Sequence, residues 1–313
     1  ALDKINGMRC ILCLFEGVVT GAADGYGRMS DKPASTLLHL GPGLGNGLSN
    51  LHNAKKARTP IVNIVGEHAT YHVAYDAPLT ADIEGIARPV SDWVRTSADS
   101  KSVASDAAQA IAAARTHPGA ISTLILPADT AWTDAASVAT VPTRENPETV
   151  SEAAVENCTQ ALQSGEPAML LLGGRALRAP TLENASRIAL HSNAAMRSEL
   201  MSARTERGAG RVGIERIPYV VDEAVKVLDG IRHLILVGAK VPVAFFAYPD
   251  KPSLLIPQDC EVHVLATAEQ DIAGALDRLS DSVGAQSRLP DLESAKRPEL
   301  SSGELTLEAV WAG

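Results

Sequence analysis

The stretch CILCLFEGVVTGAADGYGR, Cys10–Arg28, sets the reading of the whole chain. Cys10–Phe15 is an apolar run of strand type that ends at Glu16 and passes, with no turn between, into a helix rich in Gly and Ala. A strand that feeds directly into a helix is the repeating unit of a parallel sheet covered by helices. Outward from it the alternation continues. Ser35–Leu40, Ile61–Val65 and Ile121–Leu126 are near-continuous apolar runs, as expected of strands buried on both faces. Between them, Val18–Met29, Gly47–Ala57 and Ser102–Arg115 carry helix formers or apolar residues at helical spacing. The fold class is α/β.

Past Leu126-Pro127 the periodicity lapses, and 134–147, dominated by Ala, Thr, Ser and Val with Pro142 and Pro147, reads as a linker. A second α/β unit follows. Helices are predicted at Glu148–Ser164, Thr181–Ser192, Pro218–Leu228 and Glu269–Ser280, and strands at Met169–Leu172, His233–Val237 and Glu261–Leu265. The expected organisation is two doubly wound parallel-sheet domains, 1–133 and 148–283, joined by 134–147. A polar, Pro-containing segment, 284–313, closes the chain; Glu304–Gly313 reads as the start of a helix and suggests a further domain beyond it.

Composition narrows the function. With 313 residues, 45% hydrophobic and 21% charged, the chain can bury two cores. Its 28 Lys and Arg against 37 Asp and Glu give a formal charge of -9, the wrong sign for binding nucleic acid or an anionic membrane through phosphates. No apolar run approaches the roughly 20 residues of a membrane-spanning helix, and ALDKINGMRC lacks the features of a signal peptide. Four cysteines, Cys10, Cys13, Cys158 and Cys260, are too few and scattered for a disulfide framework. The expected setting is the cytoplasm, with a chain cut short at its start.

Two stretches could carry chemistry. Glu16 sits at the carboxyl end of a predicted strand, where open parallel sheets bind ligands; it could equally be a first-turn acid complementing the helix dipole. LLHLGPGLGNGLSNLHNA, Leu37–Ala54, reads as a strand to Leu40, a Gly-Pro-Gly turn, and a helix opening near Gly47. Its glycines would let backbone N–H groups meet a ligand. It is neither a P-loop, lacking Gly-Lys-Ser/Thr, nor a dinucleotide fingerprint, since Asn46 and Leu48 stand where the third glycine belongs. His39 is a core or loop histidine unless it faces the crevice, where it could carry protons.

Three other patterns read as decoys. Gly208–Gly213 satisfies G-x-G-x-x-G, but the polar Ser202–Arg207 precedes it where a strand should be. Cys10 and Cys13 form a C-x-x-C on a strand, with side chains to opposite faces and no second pair, and read as core cysteines. His68 and His72 lack the H-E-x-x-H order and read as loop histidines near the mouth of the site.

The order of these features resembles the pyrimidine-binding domain of thiamine-diphosphate enzymes. The matching elements are Glu16, a Gly/Ala-rich helix closing in Asp24-Gly25-Tyr26-Gly27-Arg28, Lys32-Pro33, Gly41-Pro42-Gly43 with Asn46, and Thr59-Pro60 with a strand to Gly66. Within that superfamily the chain is similar to the acetolactate synthase large-subunit group, and LHLGPGLGN followed by a helix is similar to benzoylformate decarboxylase. The second unit is similar to the family's Rossmann-like central domain.

The resemblance implies that Glu16 hydrogen-bonds the ring nitrogen of the cofactor's aminopyrimidine and thereby promotes the thiazolium ylid, while Gly41, Pro42, Gly43 and Asn46 form the loop at the crevice. It matches His39 to an active-site histidine of the benzoylformate decarboxylase branch. Glu67-His68 replaces the Gln of acetolactate synthases, which leaves the 2-oxo acid open and places His68 on the substrate side. The activity implied is carboligation, a transferase reaction, or decarboxylation. Family members bind the diphosphate and Mg²⁺ through a third domain bearing Gly-Asp-Gly, a motif these residues lack, so no metal ligand is expected here and the 313 residues alone are expected to be inactive. The family's first strand and helix also precede Glu16 and are expected to be missing. FAD, kept by some acetolactate synthases in the central domain, is not expected. Family active sites form between subunits, which implies a homodimer or homotetramer; the alternative is a non-catalytic truncated relative that pairs with a full-length partner.

Overall fold

A computed structural model describes residues 7–295, 299 and 302–312. The chain divides into two compact units, Ala1–Glu148 and Thr149–Gly313.

The first unit runs α1 (Glu16–Ser30), β1 (Ala34–His39), α2 (Leu40–Lys56), β2 (Ile61–Glu67), α3 (Ile83–Ala87), β3 (Trp93–Thr96), α4 (Val103–Ala114) and β4 (Ile121–Pro127). Its four strands form one sheet in the order β1-β2-β4-β3, every pair parallel. The central strands β2 and β4 are buried on both faces, which their apolar composition announces. One face packs Leu38, Leu44, Leu51, Ile61, Val65, Ile121 and Ile125 together; the other packs Val62 and Leu124 against Ala110 and Ala114 of α4. β1 is an edge strand whose Leu37 and His39 stay exposed.

Three expectations for this unit are corrected. Cys10–Phe15 is not a strand: it pairs with no other described segment, and Ile11, Leu12 and Leu14 are exposed. Apolar composition suits a strand, but a strand also needs a neighbour for its backbone groups. Cys10 is accordingly exposed and Cys13 only half-buried, so neither is a core cysteine. Finally, α2 begins at Leu40 and not near Gly47, with Gly41-Pro42-Gly43 wound into its first turn. Proline is tolerated there because first-turn N–H groups have no partner within the helix. Leu40, at φ 51°, makes the sharp corner from strand to helix.

The second unit runs α5 (Glu152–Gln163), β5 (Ala168–Leu172), α6 (Ala179–Ser192), β6 (Ala195–Ser198), α7 (Val221–Leu228), β7 (His233–Val237), β8 (Glu261–Ala266), α8 (Ile272–Val283) and α9 (Leu307–Ala312). Its sheet, order β6-β5-β7-β8, is again all parallel. The connection reverses between β5 and β7, the topological switch of a doubly wound fold. Leu170, Leu172, Ile235 and Val237 face one core layer, and Met169, Leu171, Leu234 and Leu236 face the other. α5 starts later than predicted, at Glu152, because the Ser151 hydroxyl accepts the Ala154 N–H and caps the helix. Among the described residues no helix is long and apolar enough to cross a membrane.

Candidate active site

Glycines bring α1 and α2 together. A Cβ on Gly47 would lie 2.8 Å from Thr20 Cγ2. The Thr20 hydroxyl donates to the Gly47 carbonyl at 3.1 Å, and Asn50 Nδ2 donates to the Gly17 carbonyl at 2.7 Å. That close approach sets Glu16, the first residue of α1, beside the first turns of α2. Asn46 Nδ2 donates to Glu16 Oε2 at 3.1 Å. Glu16 Oε1 has no hydrogen-bond partner among the described residues. A Cβ on Gly43 would stand 3.5 Å from that oxygen and 3.4 Å from His39 Cβ, so glycine there keeps the space between the two side chains clear.

The structure therefore gathers Glu16, Gly43, Asn46 and His39. Gly41 serves packing, since a Cβ on it would lie 2.5 Å from Ala81 Cβ, and Pro42 is exposed on the helix start. His68 belongs to a separate cluster, its ring 5.5 Å from that of His72, and its buried Nε2 has no hydrogen-bond partner. His39 ends β1 in register with Gly66, and Glu67 ends β2, so these residues all lie at the carboxyl edge of the sheet. Glu16 is half-buried, which leaves its free oxygen open to a ligand.

Asp24-Gly25-Tyr26-Gly27-Arg28 is a brace. Asp24 pairs with Arg28 at 2.8 Å and accepts the Thr59 hydroxyl at 2.7 Å, while a Cβ on Gly27 would collide with the Thr59 methyl. The far end of α1 is thus locked to the entry of β2, and the near end is left to present Glu16.

Sequence reasoning missed several participants. Thr20 and Asn50 read as ordinary helix residues, and their role exists only once α2 lies alongside. Asp129, just past the end of β4, accepts the Thr70 N–H at 3.0 Å and the Thr70 hydroxyl at 2.5 Å, tying together the loops after β2 and β4. Those hydrogen bonds hold its carboxyl below the usual range. Its place after a predicted strand end was the signal available. Cys158 is no nucleophile: burial pushes its thiol up to about 12.

In the second unit Gly208–Gly213 joins no strand to a helix, in keeping with a chance match to the dinucleotide pattern. At the switch point, the Gly174 N–H donates to Glu199 Oε1 at 3.3 Å, and a Cβ on Gly173 would lie 2.7 Å from that carboxylate and from the Gly238 carbonyl. Glu199 thus lies close against the turn that follows β5.

Fold and site define a class: a doubly wound α/β protein with a carboxylate at a helix start, set at the carboxyl edge of a parallel sheet. Residues 1–86, within the first unit, match the thiamine pyrophosphate enzyme, N-terminal TPP binding domain. The chain is 50% identical over 307 residues to IlvX of Mycobacterium tuberculosis, a protein named for the acetolactate synthase large subunits; the match covers 98% of this chain and 58% of that protein. It is 34% identical over 128 residues to benzoylformate decarboxylase of Pseudomonas aeruginosa, covering 41% of this chain and 24% of that protein. The solved thiamine diphosphate-dependent 4-hydroxybenzoylformate decarboxylase of Rhodococcus jostii RHA1 shares the fold, with a TM-score of 0.78 at 20% identity over 96% of this chain and 60% of that one. The chain is similar to these proteins and spans less than two thirds of the length of IlvX and of the Rhodococcus jostii enzyme.

Proposed function

We propose that this chain supplies the pyrimidine-side half of the active site of a cytoplasmic thiamine-diphosphate-dependent enzyme that decarboxylates a 2-oxo acid or ligates the product to a second carbonyl compound. The observation that carries this is Glu16, one oxygen fixed by Asn46 at 3.1 Å and the other free beside the clearing at Gly43. The fit to a flat heteroaromatic ring is good: a side chain at position 43 would fill the space, and Oε1 is an unused acceptor.

When bound, the cofactor supplies an electron sink for the 2-oxo acid. The chain's own residues bind and orient it. Glu16 Oε1 hydrogen-bonds a ring nitrogen and shares a proton with it, Asn46 fixes the carboxylate rotamer, and Gly43 permits the ring's close approach. His39, on the same clearing, carries protons to and from substrate, with His68 on the substrate side. A segment bearing Gly-Asp-Gly, which these residues lack, is proposed to hold the diphosphate and Mg²⁺, in a homodimer or homotetramer. FAD is not part of the proposal.

The test is Glu16→Gln in the native full-length polypeptide, assayed with 2-oxo acids, thiamine diphosphate and Mg²⁺. Turnover should fall at least a hundredfold with the circular dichroism spectrum unchanged, and His39→Ala should lower kcat more than it weakens cofactor binding. Unaltered turnover in Glu16→Gln overturns the assignment of Glu16.

A further inference from the structure

At the amino edge of the second sheet, away from its switch-point crevice, two histidines and a carboxylate converge. His233 opens β7 in register with Glu261, which opens β8, and His263 follows on β8. His233 Nδ1 is 3.1 Å from His263 Nε2 and 3.7 Å from Glu261 Oε2, and the last two atoms are 4.0 Å apart. A triangle with these sides has a centre about 2.1 Å from each corner, close to the usual Zn–N and Zn–O bond lengths. Both histidine side chains are only 11% exposed, whereas Glu261 is 69% exposed, so an ion there would be held from within and keep a solvent-facing position.

The surroundings set the ligand chemistry. Glu166 Oε2 lies 3.1 Å from His233 Nε2, and a carboxylate can only accept, so Nε2 carries the proton and Nδ1 presents its lone pair to the cluster. This is the outer-shell arrangement that orients metal-bound histidines. Without an ion, neutral His263 donates its one ring N–H from Nε2 to His233 Nδ1; with an ion bound the ring takes its other tautomer, its hydrogen on Nδ1 and its Nε2 lone pair turned to the metal. Two imidazoles and one carboxylate suit a borderline divalent cation and not Mg²⁺ or Ca²⁺, which take oxygen ligands.

We propose that His233, His263 and Glu261 form a site for a zinc-type divalent cation, with Glu166 as a positioning residue, which clips the starts of β7 and β8 together. The proposal uses no residue of the candidate active site and stands or falls independently of it.

The full chain is stripped with chelator, titrated with ZnCl₂ and separately with CoCl₂, and passed through gel filtration. One Zn²⁺ per chain should be retained, with a rise in Tm, and Co²⁺ should give the intense visible absorption of a four-coordinate site. Glu261→Ala, an exposed change that leaves the core untouched, should weaken Zn²⁺ at least tenfold, as should Glu166→Ala. His263→Gln combined with Glu261→Ala should abolish stoichiometric binding, while His68→Gln with His72→Gln should leave it intact. Failure of the unsubstituted chain to retain Zn²⁺, or equal retention by the His263/Glu261 double variant, overturns the proposal.

Discussion

Gly47→Ala probes the contact that presents Glu16. The new Cβ would stand 2.8 Å from Thr20 Cγ2, well inside the roughly 3.5–4.0 Å of a carbon–carbon contact. Thr20 cannot retreat: it is fully buried, and its hydroxyl is committed to the carbonyls of Gly47 and Glu16, each at 3.1 Å. Overpacking of this kind costs about 1–3 kcal/mol. Alanine regains about 1 kcal/mol of helix propensity over glycine, so the net loss is about 0–2 kcal/mol. Thr20→Ser removes the obstructing methyl and keeps the hydroxyl, at about 1 kcal/mol for a lost buried methyl. With both changes the clash is gone and the alanine's gain offsets the lost methyl, which leaves stability near that of the parent. The pair should therefore couple by about 1–3 kcal/mol in the favourable direction, the whole cost of the clash. Urea unfolding followed by tryptophan fluorescence reads it out, because two of the three tryptophans, Trp93 and Trp132, lie in the first unit. Additivity within about 0.5 kcal/mol would refute the argument that these two atoms set the spacing of α1 and α2.

Two further outcomes are expected of the same unit. Asn63, fully buried, accepts the Thr36 hydroxyl at 2.8 Å and donates to Thr123 Oγ1 at 3.2 Å, which also meets Ser91 Oγ at 2.7 Å. Asn63→Leu strands the Thr36 hydroxyl and should destabilise the unit by about 2–4 kcal/mol in urea, with part recovered by adding Thr36→Val; a loss under about 0.5 kcal/mol would show the polar row to be dispensable. For Asp129 the folded carboxyl lies below the usual range, chiefly through the Thr70 hydroxyl. Its contribution to stability is thus fully present above the unfolded value of about 3.9 and is lost as pH falls through the lower folded one. Thr70→Val should move the Asp129 midpoint in a carboxyl NMR titration upward and bring acid unfolding on at higher pH; an unmoved midpoint contradicts the assigned cause.

What the sequence disclosed follows the physics of burial. β2, β4, β5 and β7 are covered on both faces, so composition alone marks them. β3 and β6 escaped because Trp93–Thr96 and Ala195–Ser198 are short and include arginine, with half-exposed positions that carry little apolar signal. Cys10–Phe15 misled in the opposite sense, since apolarity signals a wish for burial and says nothing of a partner. At α2 the Gly-Pro-Gly string suggested a loop, yet its proline falls in the first turn, the one place where a helix accepts it without loss.

The same reasoning separates the two sites. Glu16 was legible because a lone carboxylate at the junction of an apolar run and a Gly/Ala helix is conspicuous in one dimension. Its partnership with Asn46 depends on Gly43 and Gly47 allowing one helix to lie against another. His233 and His263 were invisible as a pair, because only parallel register places the start of β7 beside the start of β8. A site made within one strand–helix junction leaves a pattern in the chain; a site made across neighbouring strands leaves one only in the sheet. Glu261 shows the difference: in sequence it is one surface acid among many, and in the sheet it is the third corner of a triangle sized for a metal ion.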